Sequence, residues 1–271
     1  MQSPVSEAAV ERPLAGTRVL VTRAREQASS LVRLLQERGA TAIEFPTIRF
    51  LPPSSFAPLD AAIAMIATYQ WAVFTSVNGV HRFAARLAES GLSPKVLERI
   101  RIVAIGPATA AALRDLGVDV EIVPSSSVGE ALVAELRAYD LRGARVLLPQ
   151  AEAARDVVSI GLSDGGAHVD AVATYRSVDA GHGDYGRTLL ASGGVDAVTL
   201  TSSSTARNLV SVLGAPARTL LGSTTIASIG PITSQTARDL GLTVTVEATD
   251  HTLPGLVNAL EGYVGGQSNG K

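Results

Sequence analysis

One stretch of this chain is written twice. Residues 102–117, Ile-Val-Ala-Ile-Gly-Pro-Ala-Thr-Ala-Ala-Ala-Leu-Arg-Asp-Leu-Gly, return 124 positions later at 226–241 as Ile-Ala-Ser-Ile-Gly-Pro-Ile-Thr-Ser-Gln-Thr-Ala-Arg-Asp-Leu-Gly, identical at nine of sixteen positions. Thr75-Ser76 returns as Thr201-Ser202 and Arg18-Val-Leu-Val as Arg145-Val-Leu-Leu, at offsets of 126 and 127. A period this long specifies two similar domains rather than a solenoid of short units. The 271 residues are enough for two domains that each bury a core. Two similar lobes leave a cleft between them, a favoured place for a ligand.

Short Val/Ile-rich runs alternate with helical patterns along both copies. Strands are expected at 18–22, 42–45, 71–75, 102–105, 118–122, 145–148, 168–174, 197–200, 225–229 and 242–246. Most are nearly continuous apolar runs, as parallel strands covered on both faces require. The helix from 26 to 38 puts Ala28, Leu31, Val32 and Leu35 on one stripe and stops at Gly39. The helix from 78 to 90 stops at Gly91, and those after the two Ile-Gly-Pro turns stop at Gly117 and Gly241. Glycine just past a helix takes the left-handed cap that other residues adopt at a cost. The alternation gives an α/β fold with five strands in each half and a flavodoxin-like parallel sheet per lobe.

A boundary near residue 140 is the simplest division. The stretches 45–50, Phe-Pro-Thr-Ile-Arg-Phe, and 173–178, Ala-Thr-Tyr-Arg-Ser-Val, sit at equivalent places and could instead pass between lobes as paired strands. The residues leave consecutive and exchanged arrangements both open.

Composition removes several classes of function. The net charge is −2 and no Lys/Arg run exists, which argues against nucleic acid or a membrane surface as partner. There is no cysteine, so neither a disulfide framework nor thiolate chemistry is available, in keeping with a cytoplasmic protein. No apolar run reaches the length of a bilayer span. Residues 1–16 carry Glu7 and Glu11 and lack an apolar signal core, so they are expected to be a loose leader; residues 265–271 are expected to be disordered. The four histidines, His81, His168, His182 and His251, are scattered, so no metal site is expected. Neither a Walker A loop, a Gly-x-Gly-x-x-Gly fingerprint nor a Gly-x-Ser-x-Gly elbow occurs, so no cofactor is expected. No stretch stands out as an unpaired interface, so a monomer is expected.

What remains is a set of helix starts. Thr75-Ser-Val-Asn78 and Thr201-Ser-Ser-Ser204 each follow a strand and open a helix, at the carboxyl edge of a parallel sheet. Ile105-Gly-Pro-Ala-Thr109 and Ile229-Gly-Pro-Ile-Thr233 repeat that arrangement. A helix start offers unpaired N–H groups and partial positive charge, which attract carboxylate or phosphate. Thr and Ser there also serve as plain N-caps. Basic residues are arginine except for Lys95 and Lys271, and arginine suits an acidic ligand. Tyr175 is the one proton donor in the 173–178 stretch, and a phenol within hydrogen-bond reach can protonate a leaving group.

Taken together, Val-Leu-Val-Thr-Arg23, Phe-Thr-Ser-Val-Asn-Gly-Val80, both Ile-Gly-Pro-x-Thr turns, Leu-Leu-Pro149 and Thr-Tyr-Arg176 resemble the uroporphyrinogen-III synthase family, from about Leu14 to Leu260. The resemblance implies two α/β lobes joined by a two-stranded antiparallel linker. One lobe would hold residues 1–45 and 179–271, the other 50–172, with 46–49 and 173–178 as linker strands. The substrate would be hydroxymethylbilane, a linear tetrapyrrole with acetate and propionate on every ring. Loss of its hydroxyl leaves an electrophilic methylene, ring D attacks through its substituted carbon to give a spiro intermediate, and fragmentation and reclosure invert ring D. By the same resemblance Tyr175 would assist departure of the hydroxyl. Thr75, Ser76, Asn78 and Gly106 with Thr109 would face substrate in one lobe, and Thr201, Ser202, Ser203 and Gly230 with Thr233 in the other. Family members often carry a basic residue where Val77 or Asn78 stands here, and Arg155 and Arg176 are taken as its replacements. The upstream enzyme, hydroxymethylbilane synthase, would be a transient handover partner. The rival reading is a two-lobe anion- or tetrapyrrole-binding or regulatory module without catalysis.

Overall fold

In the computed structural model, which describes residues 12–268, apolar strand residues alternate between the two faces of two separate sheets. The chain forms β1 (Arg18–Val21), α1 (Arg25–Glu37), β2 (Thr41–Glu44) and β3 (Ile48–Leu51). It continues through α2 (Ala57–Ala64), β4 (Trp71–Phe74), α3 (Val77–Glu89), β5 (Arg101–Ala104), α4 (Pro107–Asp115) and α5 (Gly129–Leu136). Next come β6 (Arg145–Ala151), α6 (Val157–Asp164), β7 (His168–Asp179), α7 (Gly183–Ala191), β8 (Ala197–Leu200), α8 (Ser203–Leu213) and α9 (Ala217–Leu221). The last elements are β9 (Thr225–Ser228), α10 (Pro231–Asp239), β10 (Val246–Glu247) and α11 (Leu253–Ser268). Residues 12–49 with 179–268 make one compact unit, and 50–178 make the other. The chain leaves the first unit along β3 and returns along β7.

The first unit's sheet runs β10-β9-β8-β1-β2, with parallel pairing throughout. Numbered along this unit's own chain, that is the flavodoxin order. The second sheet runs β3-β7-β6-β4-β5, and the pairs β7–β6, β6–β4 and β4–β5 are parallel. The two orders superimpose once the sequence repeats are matched: β6 stands for β1, β7 for β2, β4 for β8 and β5 for β9. The second unit is thus the first with its chain entered at a different strand.

Both faces of each sheet are covered. In the second unit Ala72, Phe74, Ile102 and Ala104 point into a core with Phe83, Leu87 and Leu113 from α3 and α4. Their neighbours Trp71, Val73 and Val103 face the opposite core, built with Leu132 and Leu136 of α5 and Leu162 of α6. In the first unit Leu20, Val198, Leu200 and Ile226 meet α8 and α9 on one side. Val19, Val21, Ala197 and Ala227 meet α1 and α11 on the other. Period-two alternation into two apolar layers explains why the strands read as unbroken hydrophobic runs.

Four expectations from the sequence are corrected. Residues 118–122 form no strand; one parallel bridge, Val103 to Ile122, is all that is made. The 242–246 run likewise shrinks to the two residues of β10. Ile122 and Val246 are repeat equivalents, so the outermost position is vestigial in both copies, and the second sheet's fifth strand is β3 instead. Leu14, assigned to a loose leader, is fully buried beside Leu31 and Leu35; residues 1–11 lie outside the described residues. Residues 265–268, expected disordered, continue α11, while 269–271 also lie outside the described residues. The predicted helix ends hold: Gly39, Gly91, Gly117 and Gly241 all have positive φ, at 88°, 74°, 75° and 80°.

At the amino edge of the second sheet a polar cluster ties three segments together. The Tyr69 hydroxyl donates to Asp170 at 2.6 Å, and Arg145 pairs with the same oxygen at 2.8 Å. Burial first, and then the bond to Asp170, push the Tyr69 phenol up to about 12. A phenol raised in the folded state stabilises fully below the unfolded value near 10 and loses that contribution as pH climbs to about 12. Urea unfolding between about pH 9 and 12 should therefore show stability falling above about pH 10. The fall should be shallower in Tyr69→Phe; identical slopes for the two proteins would remove this phenol as the cause.

Candidate functional site

In an open parallel sheet, ligands collect at the carboxyl ends of the two strands whose following helices diverge to opposite sides. In the second unit those strands are β4 and β6, since α3 leads outward to β5 and α6 leads the other way to β7. In the first unit they are β8 and β1.

At the second unit's edge, Ser76 caps α3. Its Oγ accepts from the Gly79 N–H at 3.0 Å, with Ser76 in extended backbone. Gly79 packs beneath the cap with no room to spare: a Cβ there would lie 3.1 Å from Ser76 Oγ and 3.4 Å from the Pro149 carbonyl at the end of β6. Thr75 and Asn78 flank the cap and are half-buried.

Tyr175 comes to the same place from β7. The β6–β7 register shifts between Gln150 and Ala151, so that Gln150 faces Ala173 and Ala151 faces Tyr175. The residue skipped is Thr174, whose hydroxyl donates to the Gln150 carbonyl at 3.2 Å. A one-residue slip reverses which face a side chain takes, and irregularities of this kind re-aim side chains beside active sites. The Tyr175 oxygen lies 3.3 Å from Ser76 Oγ. Its ring is held edge-on by Phe50 of β3, with centroids 5.4 Å apart and planes at 86°. Only 7% of Tyr175 is exposed. The loop after β6 is clamped nearby, where Ser54 gives Glu152 both its backbone N–H at 2.8 Å and its hydroxyl at 3.1 Å. These bonds hold the Glu152 carboxyl below the ordinary carboxylate range.

The first unit repeats the cap without the tyrosine. Ser202 caps α8 by accepting from the Thr205 N–H, and Thr205 returns the bond to the Ser202 N–H in a capping box. Ser203 accepts from Thr236 at 2.8 Å and reaches the Ile232 carbonyl at 3.4 Å, joining the starts of α8 and α10. Thr201 is half-buried at the end of β8.

Gly106 and Gly230 both have extended backbone that any residue could adopt. What demands glycine is space. A Cβ on Gly106 would fall 2.2 Å from Ser127 Oγ, and one on Gly230 would fall 2.8 Å from the His251 ring. Ser127 and His251 are 124 positions apart, the same offset as the glycines, so each turn is roofed by the loop that follows the vestigial outer strand.

Thr109 and Thr233 are 4% and 6% exposed, packed on the buried side of α4 and α10. Arg176 is exposed and donates from Nε to the Pro52 carbonyl at 3.2 Å. Arg155 is exposed and pairs with Glu130 at 3.6 Å. The sequence reading passed over Arg23. It follows β1 at the first unit's divergence point, is half-buried, and has a buried Nε without a hydrogen-bond partner. Burial pulls its guanidinium below its ordinary value. The available signal was a charged residue two positions beyond the apolar run Val19-Leu-Val21.

Two cavities are lined by none of these residues, although the second borders Glu130, the partner of Arg155. One of about 400 Å³ lies between Leu97–Ile102 and Gly117–Glu121. Another of about 590 Å³ lies between α5 and α6. Neither is lined by any residue named above as a site candidate. Among the described residues no helix is long and apolar enough to cross a membrane.

A family model described as uroporphyrinogen-III synthase HemD matches residues 29–258. The uroporphyrinogen-III synthase of Synechococcus elongatus is 35% identical over 257 residues, covering 93% of this chain and 97% of that protein. Among solved structures, a mutant uroporphyrinogen III synthase from the extremely thermophilic bacterium Thermus thermophilus superimposes with a TM-score of 0.71 at 18% identity, covering 93% of this chain and all of that one. The Helicobacter pylori synthetase gives 0.57 at 18% identity over 91% and 99% of the two chains. At that identity the likeness carries the two-sheet α/β fold.

The roofed glycine gives a direct test of the local packing. Gly106→Ala should lower the melting temperature, because its Cβ meets Ser127. Ser127→Gly in the same chain removes both clashing atoms and should recover most of the loss. No recovery, measured by calorimetry on the three proteins, would mean that Ser127 is not what reserves this position for glycine.

Proposed function

The chain belongs to the uroporphyrinogen-III synthase family, and we propose that it closes hydroxymethylbilane to uroporphyrinogen III with loss of water and inversion of ring D. The carrying observation is the buried Tyr175 phenol set against the Ser76 cap at the β4–β6 divergence. The proposed sequence begins when the phenol protonates the departing hydroxyl, which leaves as water as the C–O bond breaks. Ring D then attacks the resulting methylene through its substituted carbon, and the spiro intermediate fragments and recloses. Reclosure releases ring D's remaining ring hydrogen as a proton, which restores the phenol, so the net loss is one water.

The uncatalysed chain closes to the type I isomer, so the protein's task is chiefly geometric. Fixing reacting groups supplies about 7–11 kcal/mol in favourable cases. A substrate bearing acetate and propionate on every ring calls for many weak anion receptors, and backbone N–H groups at the starts of α3, α4, α8 and α10 suit that task. We assign Thr75, Asn78 and Gly106 in the second unit and Thr201, Ser202, Ser203 and Gly230 in the first to these turns. Arg23 joins them: a carboxylate beside its partly buried guanidinium would replace the solvation it has lost. Thr109 and Thr233 contribute as buried supports of their turns rather than by direct contact. Arg155 and Arg176 are exposed enough to take a propionate.

The segments 46–49 and 173–178 serve in this reading as the two connections between 1–45 with 179–271 and 50–172. We further propose a monomer acting in the cytoplasm without a cofactor, receiving its labile substrate from hydroxymethylbilane synthase. Family membership does not favour the non-catalytic binding module.

The test is isomer analysis. Hydroxymethylbilane is generated in the same tube, the protein added, and the oxidised porphyrins separated by chromatography. Mainly type III isomer is expected, and only type I from a folded sample would sink the assignment. Tyr175→Phe should slow type III formation by well over about tenfold while leaving the circular dichroism spectrum intact. Near-unchanged turnover would take Tyr175 out of the mechanism.

A further inference from the structure

We propose that Ser76 is a positioning residue for Tyr175, coupling the phenol to the amino-terminal end of α3 so that charge formed on the phenol oxygen is shared with the helix. The inference rests on the reading of Tyr175 as the proton donor and reassigns Ser76 from substrate contact to support of that donor.

The geometry is a short relay. The Gly79 N–H donates to Ser76 Oγ at 3.0 Å, and Ser76 Oγ lies 3.3 Å from the Tyr175 oxygen. A serine hydroxyl has one proton to give and two lone pairs. With one lone pair filled by Gly79, the proton is free to point at the phenol. Each donor polarises the next in such a chain, so Gly79 makes Ser76 a better donor. The helix start adds its partial positive charge at the same end.

Three further observations show that the relay is specific to this place. Phe50 fixes the Tyr175 ring edge-on, so the phenol has little freedom to leave Ser76. The register shift at Thr174 delivers Tyr175 to this spot. The duplicated cap supplies an internal control. Ser202, the counterpart of Ser76, turns its hydroxyl to Ser204 at 2.9 Å and accepts from the Thr205 N–H, so it is spent within its own helix. The position matching Tyr175 in the other copy is Ile48, which needs no donor.

In the reaction the phenol O–H bond breaks as its proton passes to the departing hydroxyl, and the electron pair of the C–O bond leaves with the water. The O–H electron pair stays on the Tyr175 oxygen. Ser76 then donates its hydrogen bond to that oxygen until ring reclosure returns a proton. No group besides substrate is consumed.

Glycine replaces a serine N-cap at little cost to the helix, so Ser76→Gly removes the relay and spares α3. Its kcat should fall about tenfold or more, as expected for a lost hydrogen bond to a charged group, with KM changed less than about threefold. Ser76→Thr keeps the hydroxyl and should restore most of the rate. In a Tyr175→Phe background Ser76→Gly should cost nothing further, because the relay ends at the phenol. Independently of turnover, the carbon resonance of a 13C-labelled Tyr175 ring should move in Ser76→Gly and return in Ser76→Thr. A full-sized loss in the Tyr175→Phe background, a loss carried by KM, or no loss at all would overturn the proposal. These outcomes are read with the unaltered protein making type III isomer. If the unaltered protein gives type I alone, the functional reading itself has failed, which the resonance experiment tells apart by still reporting the Ser76 contact.

Discussion

The pairing of β4 with β6 is the constraint on which the rest of the second unit depends. Trp71 and Ala72 register with Val146 and Leu147, and this alignment decides where both strands end. Ser76 follows the end of β4, and the loop that Glu152 opens follows β6. Because the helices after these strands leave in opposite directions, nothing from the sheet covers the place where they part. A parallel sheet buried on both faces leaves only its two edges for polar side chains, and the amino edge is taken by the Tyr69–Asp170–Arg145 cluster. The apolar layers around Phe74 and Val73 therefore fix the position of a hydroxyl cap that touches neither core.

Duplication then explains both what is shared and what is not. Each copy places a serine cap after one central strand and a Gly-Pro turn after its neighbour, because these features belong to the backbone plan. The chain enters the plan at β1 in one unit and at β4 in the other, yet the spatial order is unchanged. What differs is chemistry mounted on that plan. Tyr175 has Ile48 as its counterpart, Ser127 has His251, and Arg23 has Gln150 at the 127-residue offset.

Much of this was legible in the sequence, and the gaps have physical causes. Positive-φ glycines at 39, 91, 117 and 241 end helices because few other residues tolerate that conformation, so they are readable without tertiary knowledge. Runs 118–122 and 242–246 carry strand-like residues, but strand propensity only expresses itself where a partner is available. Ile122 finds one bridge to Val103, and Pro124 soon afterwards offers no N–H to extend it. Leu14 reads as part of a polar leader because its burial depends on Leu31 and Leu35, which are distant in sequence. The burial of Thr109 and Thr233 could not be read from their place in a motif, because it depends on how each helix is rotated against its sheet. The register shift that aims Tyr175 leaves no local mark, since it is a property of two strands together. Arg23 was visible as a letter but not as a partly buried charge.

The asymmetry between the copies bears on the reaction. A linear tetrapyrrole with similar acidic side chains on every ring presents nearly the same face from either end. In the proposed reading, helix starts that both units share bind its carboxylates without telling ring A from ring D. Discrimination requires something present once. The backbone N–H groups proposed to bind carboxylates occur in both units and so carry no direction. The Tyr175 phenol occurs once, in apolar contact with Phe50 and in hydrogen-bond reach of a single cap hydroxyl. As the proposed proton donor, a phenol at one edge makes loss of the hydroxyl productive only when ring A, which carries it, lies at that edge. The hydroxymethyl group itself decides which ring becomes electrophilic, and the role proposed for the phenol is to decide at which unit that happens, while the repeated helix starts supply grip.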